Sequence, residues 1–129
     1  NLDNYLESIK NFSNNIHYQN ESNKITISHS KGIKIIADVS ILYLEGDGNC
    51  TNIHFTDGTT FFDTRTLKVY EEILDSKKFY RIHKKHVINL THLTDYLQDD
   101  GHFAVMKTGV NLSVARARIS EFVKTIRSL

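Results

Sequence analysis

Residues Phe79 to Leu93 read F-Y-R-I-H-K-K-H-V-I-N-L-T-H-L, and this stretch decides the fold. Its apolar residues alternate as they do on a strand with one buried face. Lys84 and Lys85 interrupt the alternation in the middle, where burial would be costly for two ammonium groups. A core strand that presents basic side chains on an exposed turn satisfies both requirements. Such a turn is suited to binding a polyanion.

Positive charge is concentrated in two regions, although the net charge of the 129-residue chain is only +1. The first region is 77–85, and no acidic residue occurs from Ser76 to Thr94. The second region is 107–127, where Glu121 is the only acidic residue. If the two regions meet in space, they form one basic face despite the nearly neutral total.

The cysteine count and the hydropathy pattern narrow the class of protein. Cys50 is the only cysteine, so neither an intramolecular disulfide nor a cysteine-based zinc site can form, which agrees with a cytoplasmic location. No apolar run approaches the roughly 20 residues of a membrane span, and we expect no membrane contact from this segment. Because the chain begins at Asn1, we expect it to be part of a longer protein.

Two segments with different periodicity predict the domain organisation. Residues 1–12 carry apolar side chains at helical spacing, which predicts an amphipathic helix that packs on its own domain or on a second copy. The Asn- and Ser-rich residues that follow are predicted to be a linker, so 1–23 form a linker and helix. Residues 24–129 then form one domain.

Alternating segments separated by turn residues predict a mostly antiparallel β domain. Lys31-Gly32, Asp57-Gly58 and Asp99-Asp100-Gly101 mark hairpin turns. We expect about eight to ten short strands with two or three short helices. One helix is predicted to be capped by Asp63 or Thr64 and to extend to residue 75.

The closing helix is predicted to begin near Ser113, which places Arg116 and Arg118 in its first turn. The helix dipole disfavours a cation there by about 0.3–1 kcal/mol. The two guanidinium groups and the free N–H groups of the helix end would form a phosphate site. Alternatively, both arginines are solvated on a polar face.

Histidines and carboxylates give weaker signals. His83 and His86 are three residues apart and point to opposite faces of a strand, and no third ligand has a fixed spacing, so we predict no metal site and no cofactor. No catalytic motif is present, which predicts a protein that is not an enzyme. Arg81 can pair with a carboxylate inside the fold, and Asn89 is predicted to be a buried turn residue.

These motifs, in this order, resemble the LytTR DNA-binding domain, the output module of many bacterial response regulators. The resemblance extends from about Lys24 to the C-terminus. It is carried by I-L-Y-L-E-G-D-G-N, F-T-D-G, T-L-K-V-Y-E-E-I-L, the stretch from residue 79, and L-S-V-A-R-A-R. Its most specific part is the F-x-R-x-H…V-N pattern at Phe79, Arg81, His83, Val87 and Asn89. It implies small antiparallel sheets, stacked as an elongated β-sandwich, that insert loops into successive major grooves.

The resemblance also implies which residues contact DNA. Cys50 stands where the family often has an aromatic residue or histidine, and Lys85 replaces the usual serine or threonine, which adds a phosphate contact. We assign base reading to Arg116, which can bind guanine with two hydrogen bonds, and to Asn49 or Cys50. The complete set of predicted DNA-binding residues is Asn49, Cys50, Thr51, His83, Lys84, Lys85, Arg116 and Arg118, of which Lys84, Lys85 and Arg118 are expected to hold phosphates.

The predicted function is sequence-specific DNA binding as the C-terminal output domain of a cytoplasmic two-component response regulator. The expected partners are double-stranded DNA with repeated sites, a second copy of the chain on that DNA, and an upstream receiver or sensor domain. An alternative is a protein-interaction module that binds an acidic partner through the basic strand.

Overall fold

Short antiparallel strands make up most of the chain, because alternating apolar residues are separated by turn-forming residues. The computed structural model describes residues 23–129 and the backbone of residues 16–19. The strands are β1 (Ile16–Gln19), β2 (Lys24–His29), β3 (Gly32–Ala37), β4 (Ile41–Asp47), β5 (Cys50–Phe55), β6 (Thr60–Asp63), β7 (Phe79–His83), β8 (His86–Asn89), β9 (Leu93–Gln98), β10 (His102–Met106) and β11 (Asn111–Ser113). The helices are α1 (Leu67–Ile73) and α2 (Ile119–Arg127), and 3-10 turns occupy Asp38–Ser40, Leu90–His92 and Arg116–Arg118. Neither of these helices is long and apolar enough to cross a membrane.

The strands form three antiparallel sheets within the described ranges. The first sheet has the order β1-β2-β3, the central sheet has the order β6-β5-β4-β8-β7, and the third has the order β11-β10-β9. Each hydrogen-bonded pair of neighbouring strands is antiparallel. The mostly β, antiparallel class predicted from the alternation is therefore confirmed.

Both faces of the central sheet are buried, because successive side chains on a strand point to opposite faces. Leu44 and Val87 pack with residues of the first sheet and α1. Leu42 and Ile88 pack with residues of the third sheet and α2. Each such side chain stabilises the fold by about 1.5–3 kcal/mol through burial. The central sheet is thus the middle layer, and its turns emerge at its ends.

The N-terminal region differs from the sequence prediction. The amphipathic segment predicted in residues 1–12 lies outside the described residues. At residues 16–19 the structure contains the strand β1 and not the predicted linker. This strand pairs with β2, with Ile16 opposite Ile27 and Gln19 opposite Lys24. A strand of four residues gives a short periodic signal, and the Asn- and Ser-rich residues around it obscured that signal.

Helix α1 begins later than predicted. Its N-cap is Thr66, whose Oγ1 accepts a hydrogen bond from the backbone N–H three residues further on at 3.3 Å. The prediction of Asp63 or Thr64 as the cap was wrong. The Asp63 carboxylate is buried and instead accepts hydrogen bonds from the Arg65 guanidinium at 2.8 and 2.9 Å and from the Tyr70 hydroxyl. The helix also ends two residues before the predicted end.

The closing helix begins at Ile119, so the prediction of a start near Ser113 was also wrong. Ser113 is the last residue of β11, and Ala115 is still extended, with φ −63° and ψ 138°. The N–H of Ala115 donates to the carbonyl of Ile82 at 2.8 Å, and this hydrogen bond holds the segment against β7. The two arginines therefore occupy the 3-10 turn at 116–118 that precedes α2.

Candidate nucleic-acid interface

Three turns meet at one end of the central sheet. Because β4 pairs antiparallel with both β5 and β8, the β4–β5 turn and the β7–β8 turn lie at the same end. The 3-10 turn at 116–118 lies beside them, since the preceding Ala115 is hydrogen-bonded to Ile82 near the end of β7. We call residues 49–50, 83–85 and 116–118 together the turn surface.

The turn surface is wide enough to span a DNA groove. Four strand-to-strand spacings separate Cys50 on β5 from Ala115 beside β7, and at about 4.8 Å each they give about 19 Å. The major groove of B-DNA is about 12 Å wide. The surface can therefore reach base edges and the phosphates that flank them. The exposed predicted residues on it are Asn49, Lys84, Lys85, Arg116 and Arg118.

The β4–β5 turn presents Asn49 at its tip. Gly48 precedes it with φ +62°, the left-handed conformation that glycine adopts most easily in a two-residue hairpin loop. Cys50 is half-buried, with a free thiol. Thr51 is fully buried, and its hydroxyl donates to the carbonyl of Arg65 at 2.8 Å. The side chain of Thr51 therefore lies inside the fold and not on the turn surface.

The β7–β8 turn presents Lys84 and Lys85, both exposed. Its backbone is fixed to β4, because the N–H of Gly46 donates to the carbonyl of Lys85 at 2.8 Å. The ring of His83 is half-buried, and its Nδ1 accepts from the N–H of Lys85 at 3.2 Å. His83 thus helps to shape the turn as well as bordering it.

Arg116 and Arg118 lie on the 3-10 turn and point to solvent for much of their length. Arg116 precedes helix α2, and Arg118 is its N-cap without a side-chain hydrogen bond to the helix end. Nη1 of Arg118 donates to the carbonyl of Arg81 at 3.4 Å, which links this turn to β7. The structure therefore brings Lys84 and Lys85 of the first basic region and Arg116 and Arg118 of the second to one end of the molecule.

A partly buried polar cluster lies next to the β7–β8 turn. Glu45 Oε1 is 3.1 Å from His54 Nε2, and Glu45 Oε2 is 3.8 Å from His86 Nε2. The ring of Tyr43 stacks on His54 with centroids 4.2 Å apart. Burial lowers the pKa of His86 against the attraction of Glu45, and burial also raises the pKa of Tyr43. The lowered pKa favours the neutral form of the His86 ring, and the lysines and arginines of the neighbouring turn surface supply permanent positive charge.

Among residues 23–129, no group of three or more His, Cys, Asp or Glu side chains is arranged to hold a metal ion. The rings of His83 and His86 have centroids 5.9 Å apart and are tilted by 49°. Nδ1 of His83 is engaged with the backbone of its own turn. The pair is consistent with a packing role.

Two residues of the F-x-R-x-H…V-N pattern have partners within the domain. Nη1 of Arg81 donates to Glu71 Oε1 at 3.0 Å, which confirms that Arg81 pairs with a carboxylate, although this carboxylate lies on the surface of α1 and not inside the fold as predicted. Asn89 is 1% exposed and hydrogen-bonds to three backbone groups, which confirms the predicted buried turn residue. Arg81 and Asn89 therefore hold the backbone beneath the turn surface and are not themselves part of it.

Sequence reasoning missed one basic residue next to the turn surface. Lys68, exposed on the first turn of α1, borders a cleft of about 270 Å³ whose other walls include the β4–β5 turn, Lys84 and Lys85. The helical spacing of the sequence contains no signal for which turns lie beside Lys68.

Comparisons with a family model, with a curated protein and with a solved structure all give matches. The family model of the LytTr DNA-binding domain matches residues 31–127. The CO-responsive transcriptional regulator RcoM of Rhodospirillum rubrum is 25% identical over 100 residues, which cover 75% of this chain and 42% of that protein. A solved structure, the LytTr DNA-binding domain of a putative methyl-accepting/DNA response regulator from Bacillus cereus, has a TM-score of 0.68 and 21% identity over 80% of this chain and 95% of its own. The chain shares the fold of that domain and spans about two-fifths of the length of the curated relative.

Proposed function

The chain belongs to the LytTR DNA-binding domain family, and from this premise we propose that the turn surface is the part that reads double-stranded DNA. DNA binding in transcription regulation is the function of the family. The observation that carries the assignment to this surface is the position of Lys84, Lys85, Arg116 and Arg118 at one end of the central sheet. One to two strand spacings, about 5–10 Å, separate the turn with the two lysines from the segment with the two arginines, so all four positive charges can face the phosphates of one groove.

Within this surface, Arg116 is assigned to direct base reading. Its guanidinium is exposed and precedes a helix that does not use it as a cap, so it is available for two hydrogen bonds to guanine O6 and N7. Asn49 and Cys50, at the far side of the surface, are assigned to a second set of bases. The width of about 19 Å supports the proposal that these two contacts are made at different steps of the site.

The other basic side chains are assigned to the DNA backbone. Lys84, Lys85 and Arg118 would hold phosphates, and they set register and affinity without reading the sequence. His83 would lie close to the same backbone beside Lys85. Thr51 contributes through its hydrogen bond inside the fold and makes no contact in this arrangement.

The whole protein is proposed to be a bacterial two-component response regulator that acts in the cytoplasm. This domain would be its C-terminal output, joined to an upstream receiver or sensor domain, and two copies would pair on repeated sites. The names of the two relatives support a signal-dependent regulator, since one is CO-responsive and the other is a putative methyl-accepting/DNA response regulator. No catalytic step and no cofactor is assigned to the domain.

Selection of bound duplexes from a random pool at about 150 mM salt tests the function. We expect enrichment of a repeated motif with half-sites about 10–10.5 base pairs apart, bound at least about 10³-fold more tightly than bulk DNA. A pool without enrichment, together with binding that disappears as salt rises, would contradict sequence-specific reading. That result would favour an acidic protein as the partner of the basic surface.

A further inference from the structure

The β7–β8 turn differs from the turn types that two-residue hairpin loops usually adopt. Two-residue hairpin loops prefer turns with positive φ, which supply the twist of the flanking strands. Lys84 and Lys85 lack positive φ, because the non-glycine residues with positive φ in the described part of the chain are Asn23 and Asp100. The strand pairing is also irregular just before the turn, between Arg81 and His83. Local backbone preference alone therefore does not specify how this turn projects.

The guanidinium group of Arg81 donates hydrogen bonds to the backbone of this turn. Nε of Arg81 donates to the carbonyl of His83 at 3.0 Å, and Nη2 donates to the carbonyl of Lys84. Nη1 donates to Glu71 Oε1 on helix α1 at 3.0 Å. Because the guanidinium is planar and rigid, these three hydrogen bonds fix the turn relative to the helix. The N–H of Gly46 fixes the remaining carbonyl of the turn, that of Lys85.

The same residue is also connected to the second basic turn. The carbonyl of Arg81 accepts from Nη1 of Arg118 at 3.4 Å, and the next residue, Ile82, accepts from the N–H of Ala115. The side chain of Arg81 is 18% exposed and is paired with a carboxylate, so its own charge is already neutralised. A guanidinium group that is enclosed and paired in this way binds phosphate poorly, but it can hold the backbone of the β7–β8 turn in place.

From these contacts we propose that Arg81 is a positioning residue that sets the direction in which Lys84 and Lys85 leave the turn toward DNA phosphates. Glu71 holds Arg81 in place. Arg81 itself makes no contact with DNA. This inference rests on the proposed DNA-reading function of the turn surface.

The number of phosphate contacts distinguishes positioning from a purely stabilising role. Each contact contributes about 0.9 to the slope of log K against log salt concentration. A residue that acts only through stability changes the folded fraction, which scales the affinity by one factor at every salt concentration. A residue that aims the lysines changes the slope itself. One lost contact corresponds to about a 3.5-fold smaller change in affinity between 50 and 200 mM salt.

The test is a cycle of four proteins: the unaltered domain, Lys85→Ala, Arg81→Lys and the double variant, each bound to its selected duplex across that salt range. In the unaltered background, Lys85→Ala should flatten the slope by about one. In the Arg81→Lys background, Lys85→Ala should leave the slope almost unchanged. The reason is that the single ammonium group of lysine cannot donate to two carbonyls and a carboxylate in the fork geometry of arginine. Thermal unfolding of each variant establishes that it is folded at the assay temperature.

Arg65→Lys is the matched control. Arg65 is similarly enclosed, with 17% of its side chain exposed, and it donates to Asp63 at 2.8 Å and to the carbonyl of Ser28 at 2.8 Å. It makes none of the hydrogen bonds to the β7–β8 turn described above. In the Arg65→Lys background, Lys85→Ala should still flatten the slope by about one. The control therefore separates general destabilisation from loss of positioning.

If Arg81→Lys is not folded, Glu71→Ala provides the test, since Glu71 is 40% exposed and lies outside the core. The contribution of Lys85 to the slope should then be smaller than in the unaltered domain. An undiminished contribution in the Arg81→Lys or the Glu71→Ala background overturns the positioning role, as does its loss in the Arg65→Lys control. An unaltered domain that prefers no duplex would refute the proposed function itself, and the positioning role with it.

Discussion

Replacing Asn89 with alanine tests whether this residue of the F-x-R-x-H…V-N pattern holds the fold or contacts DNA. Nδ2 of Asn89 donates to the carbonyl of Asp38 at 3.2 Å and to the carbonyl of Ile41 at 2.9 Å. Its Oδ1 accepts from the N–H of Thr91 at 3.1 Å. These contacts join β8 to the 3-10 turn before β4 and to the 3-10 turn after β8. Alanine removes all three hydrogen bonds.

The expected loss of stability follows from those contacts. Each hydrogen bond contributes about 0.5–1.5 kcal/mol net, and a buried group left unpaired costs about 1–3 kcal/mol. With Asn89 only 1% exposed, water does not replace the lost partners without rearrangement. Asn89→Ala should therefore lower the free energy of unfolding by about 3–5 kcal/mol, a large part of the 5–15 kcal/mol that is typical of a domain.

Urea unfolding followed by circular dichroism measures this change, with Asn111→Ala as the matched control. Asn111 is exposed on β11, and its replacement should change stability by no more than about 0.5 kcal/mol. At a temperature where Asn89→Ala is folded, it should retain the duplex preference of the unaltered domain. A loss of stability below about 1 kcal/mol, or a folded variant that no longer discriminates between duplexes, would refute the structural role.

Three further changes test the surface and its surroundings. Arg116→Ala should weaken binding to the selected duplex by about 1–3 kcal/mol and relax preference at one base step, measured by competition with singly substituted duplexes; Lys107→Ala, at the opposite end of the third sheet, should leave both unchanged. Because Lys68 borders the same cleft as Lys84 and Lys85, we expect it to hold a further phosphate. Lys68→Ala should therefore flatten the salt slope by about one without changing base preference, and an unchanged slope would contradict this contact. Because burial lowers the pKa of His86 from 6.5, the unfolded state binds more protons, so the free energy of unfolding should fall as pH decreases through about 6.5 toward the lowered folded pKa. Urea unfolding between pH 5 and 8 should show less of this fall for His86→Gln, and an identical pH dependence would contradict the assignment.

Most strands were predictable because their signals are local. The alternation over Lys24–His29 and Cys50–Phe55 was sufficient for β2 and β5, and the turn residues at 57–58 and 99–101 marked hairpins that the structure contains. The buried position of Asn89 was also predictable, since it lies between two apolar residues of one strand end. The family resemblance then supplied the DNA-binding function, which no single motif residue would have indicated.

Element boundaries depended on contacts from elsewhere in the chain. The segment after Ser113 has helical spacing, yet the hydrogen bond from Ala115 to Ile82 keeps it extended until the 3-10 turn begins. Asp63 has the side-chain chemistry of a helix N-cap, yet its carboxylate accepts hydrogen bonds from Arg65 and Tyr70 instead. In both cases the local preference was weaker than a tertiary hydrogen bond, which sequence spacing does not reveal.

By itself, the amino-acid sequence determined the antiparallel β class, the exposed basic turn and the membership of a DNA-binding family. The first two properties depend on residues that are neighbours in the chain, whose spacing sets which face is buried, whereas the family membership rests on the resemblance of several motifs and on the match over residues 31–127. Only the tertiary structure decided that Lys84, Lys85, Arg116 and Arg118 share one surface, that Thr51 lies beneath it, and that Arg81 supports it. The physical reason is that strand pairing and long-range hydrogen bonds join segments far apart in the chain, and they assign each polar side chain either to a buried partner or to solvent.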